Sequence, residues 1–280
     1  MKALVVILGS FLIMVTIMVT QFLNSSSTDF KMVFCDVGQG DSIYIRAFSE
    51  DIVVDGGPEG SDRTISDCLA SHMPLFDRNI ELMVVTHADS DHYAGFLDVL
   101  DSYTVSNFAT SYGDSDVLGY QALLNKLGKN GVEVRRLTQG ERIRINDEVK
   151  IDVLWPPSAF TDIDEDRNNS SLVFLVDYND FEAILTGDLD KEYLNLLVHD
   201  LSQIEIFKLA HHGSKTGTNE NTFKTFRPEI SIISAGKNNR YGHPHKEVID
   251  VLNRFDLKYL STKDGDIVIM SKGSGFESNF

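Results

Sequence analysis

Six consecutive residues, 87–92, contain two histidines and two aspartates, which are common metal ligands. They follow the apolar run 80–85, which predicts a strand ending at Val85 or Thr86, with a helix beginning near His92. Side chains at the carboxyl end of a strand converge on the crevice where α/β proteins carry out their chemistry. A solvated turn with helix-capping aspartates is the alternative. Four ligand-type side chains within six residues favour a site for zinc, manganese or iron. The candidate ligands are His87, Asp89, Asp91 and His92.

Two further motifs repeat this pattern of an apolar strand followed by a ligand. Asp188 follows the run 181–186, and His211 and His212 follow the run 204–209. Asp188 alone would be more typical of a turn, but a carboxylate can bridge two cations roughly 3.5–4 Å apart. Such a pair of cations converts a shared water into a hydroxide nucleophile near neutral pH. The three motifs together therefore predict a site for divalent cations that is suited to hydrolysis.

Hydrolysis also needs a group that positions the nucleophile and one that protonates the leaving group. We expect Asp91 to bind a cation and to orient the nucleophile as well. His243 has a suitable side-chain pKa for a proton donor, and it precedes Pro244, a residue favoured at the first position of a helix. The alternative is that His243 only caps that helix. Asn238 and Tyr241, on the same loop, are candidate substrate-binding residues.

The elements that position these residues alternate along the chain, which predicts a single α/β domain over residues 30–275 with two sheets between helical layers. A polar acidic loop is expected at 161–171. Strands are predicted at 31–37, 42–48, 51–54, 80–85, 132–137, 149–154, 171–177, 181–186, 204–209, 230–234 and 266–270. Helices are predicted near 62–72, 92–101, 116–128, 190–199, 218–226 and 245–255.

The first 24 residues form a separate segment. Residues 4–23 are apolar and carry no formal charge, a length that can span a bilayer. This favours an uncleaved membrane anchor over a cleaved signal peptide, because the apolar region of a signal peptide is usually shorter. Lys2 would stay in the cytoplasm, so the domain is expected to lie outside the membrane, either anchored there or secreted.

Charge and cysteine content narrow the function classes. The chain carries a net charge of −17: residues 201–280 hold 11 basic and 9 acidic side chains, and the remainder holds 14 and 33. An acidic chain is poorly steered towards polyanions, which weighs against broad, non-specific nucleic-acid binding. Cys35 and Cys68 are too few for a disulfide framework, and we expect both to be small buried apolar residues.

The stretches HADSDH, TGD and HHGS resemble motifs of the metallo-β-lactamase superfamily. The stretches at 36–42, 54–57, 168–173, 234–244 and 261–269 narrow the resemblance to the hydrolase domain of the ComEC DNA-uptake channel family. Together these motifs span residues 33–270. The resemblance implies a four-layer αββα sandwich with a dinuclear site at one edge, between the sheets.

The resemblance also implies a ligand set. His87 and Asp89 would bind one cation, Asp91 and His92 the other, and Asp188 would bridge them. The HHGS motif would supply one further histidine, and we favour His212, with His211 beside it. Asp36 and Asp55 match family positions that are expected to be structural or to support the ligands rather than to bind metal.

Two departures from the superfamily pattern bear on the metal. Asp89 replaces a histidine, and the sequence has no histidine between His92 and His199. The first cation site would thus be rich in oxygen, so Mn²⁺ becomes a candidate beside Zn²⁺ for the two divalent ions.

A phosphodiester is the expected substrate, so the predicted function is a phosphodiesterase or nuclease, with DNA suggested by the ComEC resemblance. The alternative is a non-catalytic binding or accessory component of a membrane DNA-uptake or cell-surface complex. The membrane is the expected partner of residues 4–23, and no protein partner can be inferred from the sequence.

Overall fold

The computed structural model describes residues 2–25, 30–111, 117–160, 166–197 and 204–280. The described residues form fifteen strands in two sheets. The strands are β1 (Phe30–Phe34), β2 (Ser42–Ala47), β3 (Glu50–Gly56), β4 (Asn79–Val85), β5 (Thr104–Thr110), β6 (Val134–Arg136), β7 (Arg142–Arg144), β8 (Val149–Trp155), β9 (Val173–Tyr178), β10 (Phe181–Leu185), β11 (Ile206–Lys208), β12 (Ile230–Ile233), β13 (Lys258–Ser261), β14 (Ile267–Ser271) and β15 (Glu277–Ser278).

Helices occupy the connections between these strands. They are α1 (Lys2–Ser25), α2 (Ile65–His72), α3 (Ser90–Tyr93), α4 (Phe96–Ser102), α5 (Leu118–Lys129), α6 (Lys191–Leu194), α7 (Glu220–Phe226) and α8 (Lys246–Arg254). Short 3₁₀ turns cover Arg167–Ser170, Asn195–Leu197, Ala210–Gly213 and Thr262–Asp264.

Each sheet combines an antiparallel part with a parallel part. The first sheet has the order β15-β14-β1-β2-β3-β4-β5-β6, and its strands β3 to β6 are parallel. The second has the order β13-β12-β11-β10-β9-β8-β7, and β10 to β13 are parallel. Parallel strands end at the same edge of a sheet, so the residues that follow β4, β10 and β11 are brought to one crevice.

Three apolar cores separate four layers. The central core lies between the sheets and contains side chains such as Phe30 and Phe174. A second core packs the first sheet against α2, α4 and α5, and a third packs the second sheet against α7 and α8. Two sheets flanked by helices are the αββα arrangement that the sequence predicted, with hydrophobic burial on both faces of each sheet.

The helix predicted at 92–101 is wrong in one respect, because it is divided at Gly95 into α3 and α4. The backbone of Gly95 passes close to β3, and its amide donates to the carbonyl of Gly57 at 3.0 Å. A Cβ atom at Gly95 would lie 2.1 Å from the carbonyl oxygen of Gly56, so glycine is required there. This close contact fixes the turn carrying residues 87–92 against the first sheet.

Cys35 and Cys68 are buried as predicted, but the expectation of two separate thiols was wrong. The two residues form a disulfide that joins the end of β1 to α2, with their Cα atoms 6.0 Å apart. The bond closes a loop across 33 positions of the chain. A cross-link of this kind stabilises a domain by about 2–4 kcal/mol, chiefly by restricting the unfolded chain.

The predicted anchor at residues 4–23 coincides with α1. Across the part of the chain that the structure describes, no helix meets the length and apolarity needed to cross a membrane. The structure thus gives no support to the membrane-spanning part of the predicted fold.

Candidate metal centre

The predicted ligands gather in the crevice between the sheets, and we describe them as two halves on either side of Asp188. The first half consists of His87, Asp89, Arg167 and Ser171. His87 lies two residues after the end of β4 and is 1% exposed. Its Nδ1 atom lies 3.3 Å from the Ser171 hydroxyl and 3.2 Å from that of Thr86, so hydroxyl groups orient this ring.

Asp89 occupies the outer rim of the first half. One carboxylate oxygen accepts a hydrogen bond from Arg167 Nε at 2.6 Å. The other lies 3.8 Å from His87 Nε2. The Asp89 carboxylate is therefore paired with a guanidinium that was not predicted from the sequence. The assignment of Asp89 as a metal ligand stays a prediction.

The second half consists of Asp91, His92 and His212, with Asp41 and Asp55 behind the two rings. His92 Nδ1 donates to Asp55 Oδ2 at 2.8 Å, and Asp55 also accepts from both the amide and the hydroxyl of Thr86. His212 Nε2 lies 3.5 Å from Asp91 Oδ2. Asp55 has the supporting position that was expected for it.

Asp41 supports the second histidine of this half, a role that the sequence reasoning missed. His212 Nδ1 lies 3.2 Å from Asp41 Oδ1 and 3.0 Å from the carbonyl oxygen of Ser234. The second oxygen of Asp41 pairs with Lys208 Nζ at 2.7 Å, and both side chains are buried. The available signal was a lysine inside the otherwise apolar strand β11, since lysine is almost never fully buried unless paired.

Asp188 lies between the halves, where a bridging ligand is expected. Its carboxylate oxygens are 3.4 Å from His92 Nε2, 3.3 Å from His212 Nε2 and 3.7 Å from His211 Nε2. The Asp188 amide donates to the Ser171 hydroxyl at 3.1 Å, which ties this loop to the first half.

The HHGS motif has an unusual backbone that separates the two histidines. His211 and His212 have φ values of 51° and 57°, in the left-handed region that non-glycine residues rarely occupy. Such strain is retained where the surrounding structure demands it, often at functional sites. His212 is 1% exposed and faces Asp91 and Asp188, whereas the His211 side chain is 24% exposed at the mouth. The geometry favours His212 as the motif's ligand.

Several buried atoms in the crevice have no hydrogen-bond partner among the described residues. They include His87 Nε2, His92 Nε2, His212 Nε2 and Asp188 Oδ1. Ligand atoms of His87, His92 and Asp188 lie within 4.8 Å of one another, and so do those of Asp91, His92 and His212. Buried polar atoms normally have partners, and imidazole nitrogens beside carboxylates are suitable ligands for divalent cations. The residues thus fit the dinuclear metal centre that was predicted.

The electrostatics of the two halves differ. Burial lowers the pKa of His92 and His212, but the carboxylates of Asp188, Asp55 and Asp41 outweigh it and hold both values well above the usual one. Burial and the neighbouring His92 lower the pKa of His87 to about 4. Negative charge is therefore concentrated around the second half, where it would stabilise bound cations.

The loop at the mouth places His243 near the cluster. Its ring lies 5.5 Å from that of His211 and 6.0 Å from that of His212. Asn239 holds the loop by bonding to both the amide and the carbonyl of His243. Burial and the neighbouring histidines lower the pKa of His243 to about 4, so its ring is mainly neutral at pH 7. This direction favours a polar contact over the predicted proton donation.

The predicted substrate-side residues have different surroundings. Tyr241 is 49% exposed and its ring stacks on His243 at 5.8 Å. Asn238 is exposed, and no contact recorded among the described residues joins it to the cluster. The helix whose first residue was expected to be Pro244 begins two residues later, at Lys246, since His245 is the N-cap of α8. The capping alternative for His243 was therefore wrong.

A family model described as the metallo-beta-lactamase superfamily matches residues 35–237. The chain therefore belongs to the metallo-β-lactamase superfamily, whose fold is that of metal-dependent hydrolases. Over 253 residues it is 29% identical to ComE operon protein 3 of Bacillus subtilis (strain 168), an alignment covering 84% of this chain and 32% of that protein. It is 27% identical over 238 residues to Recombination protein 2 of Haemophilus influenzae, covering 84% of this chain and 28% of that protein.

These similarities confirm the predicted resemblance to ComEC-type competence proteins. The chain spans about a third of the length of the curated relatives it matches. Among solved structures, the metallo hydrolase Igni18 of Ignicoccus hospitalis shares the fold with a TM-score of 0.54 and 13% identity, covering 89% of this chain and 99% of that one.

Proposed function

We propose that this protein is a metal-dependent phosphodiesterase with a dinuclear centre in the crevice. The observation that supports this most directly is the set of partnerless buried atoms, three imidazole nitrogens and one carboxylate oxygen, that face one another. Leaving such groups unpaired costs roughly 1–3 kcal/mol each, so the fold retains them for something that binds there.

The side chains of the crevice have separate tasks in this proposal. His92 and His212 would hold one divalent cation and His87 the other, with Asp188 shared between them. When bound, two such cations supply a nucleophile from water and polarise the scissile ester. Asp91 orients the nucleophile, and Asp55 and Asp41 fix the tautomers and directions of the rings that they contact.

A phosphodiester is the proposed substrate class, and DNA is its first candidate. The relatives' names refer to competence and recombination, which involve DNA. Because the chain is strongly acidic, we propose that it recognises one phosphodiester locally at the cations rather than an extended stretch of backbone.

We further propose that the domain works outside the cytoplasm, anchored through residues 4–23 or secreted. The Cys35–Cys68 disulfide supports this, because such bonds persist in oxidising compartments and are rare in the cytosol. If the domain is anchored, protease added to intact cells should remove it. The N-terminus of the mature, untreated protein should then lie near Met1. A mature chain starting near residue 27 would indicate secretion, and a protected domain would contradict the placement.

The activity is tested with the full chain, stripped of metal and reloaded with Zn²⁺ or Mn²⁺. We expect cleavage of bis(p-nitrophenyl) phosphate and DNA, no cleavage of a chromogenic β-lactam, and loss of both metal and activity in His92→Ala. If the fully loaded protein cleaves no phosphodiester, the proposal fails and the binding or accessory role takes its place.

A further inference from the structure

The ion pair between Asp89 and Arg167 lies at the rim of the crevice and has no task in the proposed mechanism. Their atoms are 2.6 Å apart, and the side chains are 31% and 50% exposed. Asp89 belongs to none of the convergent ligand groups found among the described residues, although its second oxygen lies 3.8 Å from His87 Nε2. A carboxylate so placed lies near the candidate ligand His87, while its charge is neutralised by the guanidinium of Arg167.

The backbone beneath Arg167 is firmly held. The Asp166 side chain caps the 3₁₀ turn Arg167–Ser170, and the Ser170 hydroxyl donates to the Arg167 carbonyl at 2.7 Å. Trp155 Nε1 donates to the Asn169 carbonyl at 2.8 Å. The base of Arg167 is thus fixed on the loop that also carries Ser171, while its guanidinium extends to the solvent-facing rim of the crevice.

We propose that Arg167 binds the phosphate of the substrate and that Asp89 is released to the first-half cation when it does so. The proposal rests on the proposed phosphodiesterase function for the identity of the anion. A guanidinium pairs with phosphate oxygens as readily as with a carboxylate, often through two parallel hydrogen bonds. Substrate and cation then bind cooperatively, because each favours the arrangement in which Asp89 and Arg167 are apart.

Cation binding tests the proposal without any measurement of activity. Calorimetric titration of the metal-free full chain with Mn²⁺ should show the weaker of two binding steps strengthened about tenfold in Arg167→Ala, since Asp89 is then free. Dimethyl phosphate should strengthen that step in the wild type but not in the variant. Arg142→Ala is the matched control, because Arg142 lies on the edge strand β7, has similar exposure and pairs with Asp152 of β8. Equal titrations for wild type and Arg167→Ala would overturn the proposal.

Kinetics separate this proposal from the one on which it rests. For bis(p-nitrophenyl) phosphate, Arg167→Ala should raise KM roughly 10- to 100-fold, the range lost with a charged hydrogen bond, with an intermediate value for Arg167→Lys. Cleavage that is normal in Arg167→Ala would overturn the role of Arg167 and leave the phosphodiesterase function intact. If dimethyl phosphate strengthens cation binding but the protein cleaves no phosphodiester, the proposed function is overturned and Arg167 is supported as an anion site.

Discussion

The two halves of the metal centre are built with different degrees of support. In the second half, His92 and His212 each have a buried carboxylate behind the ring, and Asp41 is itself paired with Lys208. In the first half, the His87 ring is oriented by two hydroxyl groups, and Asp89 is held by Arg167. Carboxylates behind metal-binding imidazoles fix the ring and raise its basicity. Together with the exchange proposed for Arg167, this difference predicts that one cation site is organised in advance and that the other is completed by exchange of partners.

Asp188→Ala should break both halves at once, because one carboxylate lies against the rings of each. We expect the loss of both cations, or a single weakly held ion, in elemental analysis of the purified protein. Asp190→Ala is the matched control, since Asp190 is two residues further along, at the N-cap of α6, and belongs to none of the candidate ligand groups among the described residues. Unchanged stoichiometry in Asp188→Ala would contradict the bridging role.

Asp55→Asn should weaken the second half alone. The amide keeps the size of the side chain and tolerates the left-handed backbone at this position, where φ is 60°. Loss of the carboxylate behind His92 should lower affinity for the tighter cation by roughly 10- to 100-fold in a competitive chelator titration. Asp36→Asn should change nothing, because Asp36 lies by Arg63 and not in the cluster. A loss shared equally by both cations would show that the halves are not independent.

His243→Ala should leave both cations bound and lower turnover only. The ring packs beside His211 and Tyr241, and burial and the neighbouring histidines lower its pKa to about 4, so it is mainly neutral at pH 7. We therefore expect a loss of about tenfold that is the same for a nitrophenolate and for an alkoxide leaving group. A much larger loss, of roughly 10²–10⁴, confined to the alkoxide would restore the predicted role of proton donor.

The Cys35→Ala/Cys68→Ala variant should leave cation binding in both halves unchanged. The disulfide joins β1 to α2, and its removal should lower the free energy of unfolding by about 2–4 kcal/mol in urea titration. Cation affinities measured under native conditions should equal those of the wild type. Weakened cation binding would mean that the cross-link positions the loop after β1 and its Asp41.

The parts of the site that could be predicted from the sequence are those that a local sequence pattern indicates. An apolar run followed by ligand-type side chains located His87, Asp188 and His212, because the ends of parallel strands meet at one edge. Strand β5 escaped prediction, since its exposed polar residues interrupt the apolar alternation that marks a strand.

The missed parts depend on pairings between residues distant in sequence. Arg167 and Asp89 are 78 positions apart, and Cys35 and Cys68 are 33 apart, so no local spacing reports either contact. Asn239, which holds His243, could not be distinguished from the neighbouring Asn238 by residue type. Only the loop conformation decides which of two adjacent asparagines faces inward.

The two short strands β6 and β7 affect how readily copies of this protein associate. Each has three residues and closes one end of a sheet, and both are rich in arginine. A free sheet edge is a template for pairing with another chain, and natural proteins block it with brief, charged strands. A concentrated preparation should therefore resist edge-to-edge aggregation, and replacing Arg142 and Arg144 with valine should make light scattering rise with time.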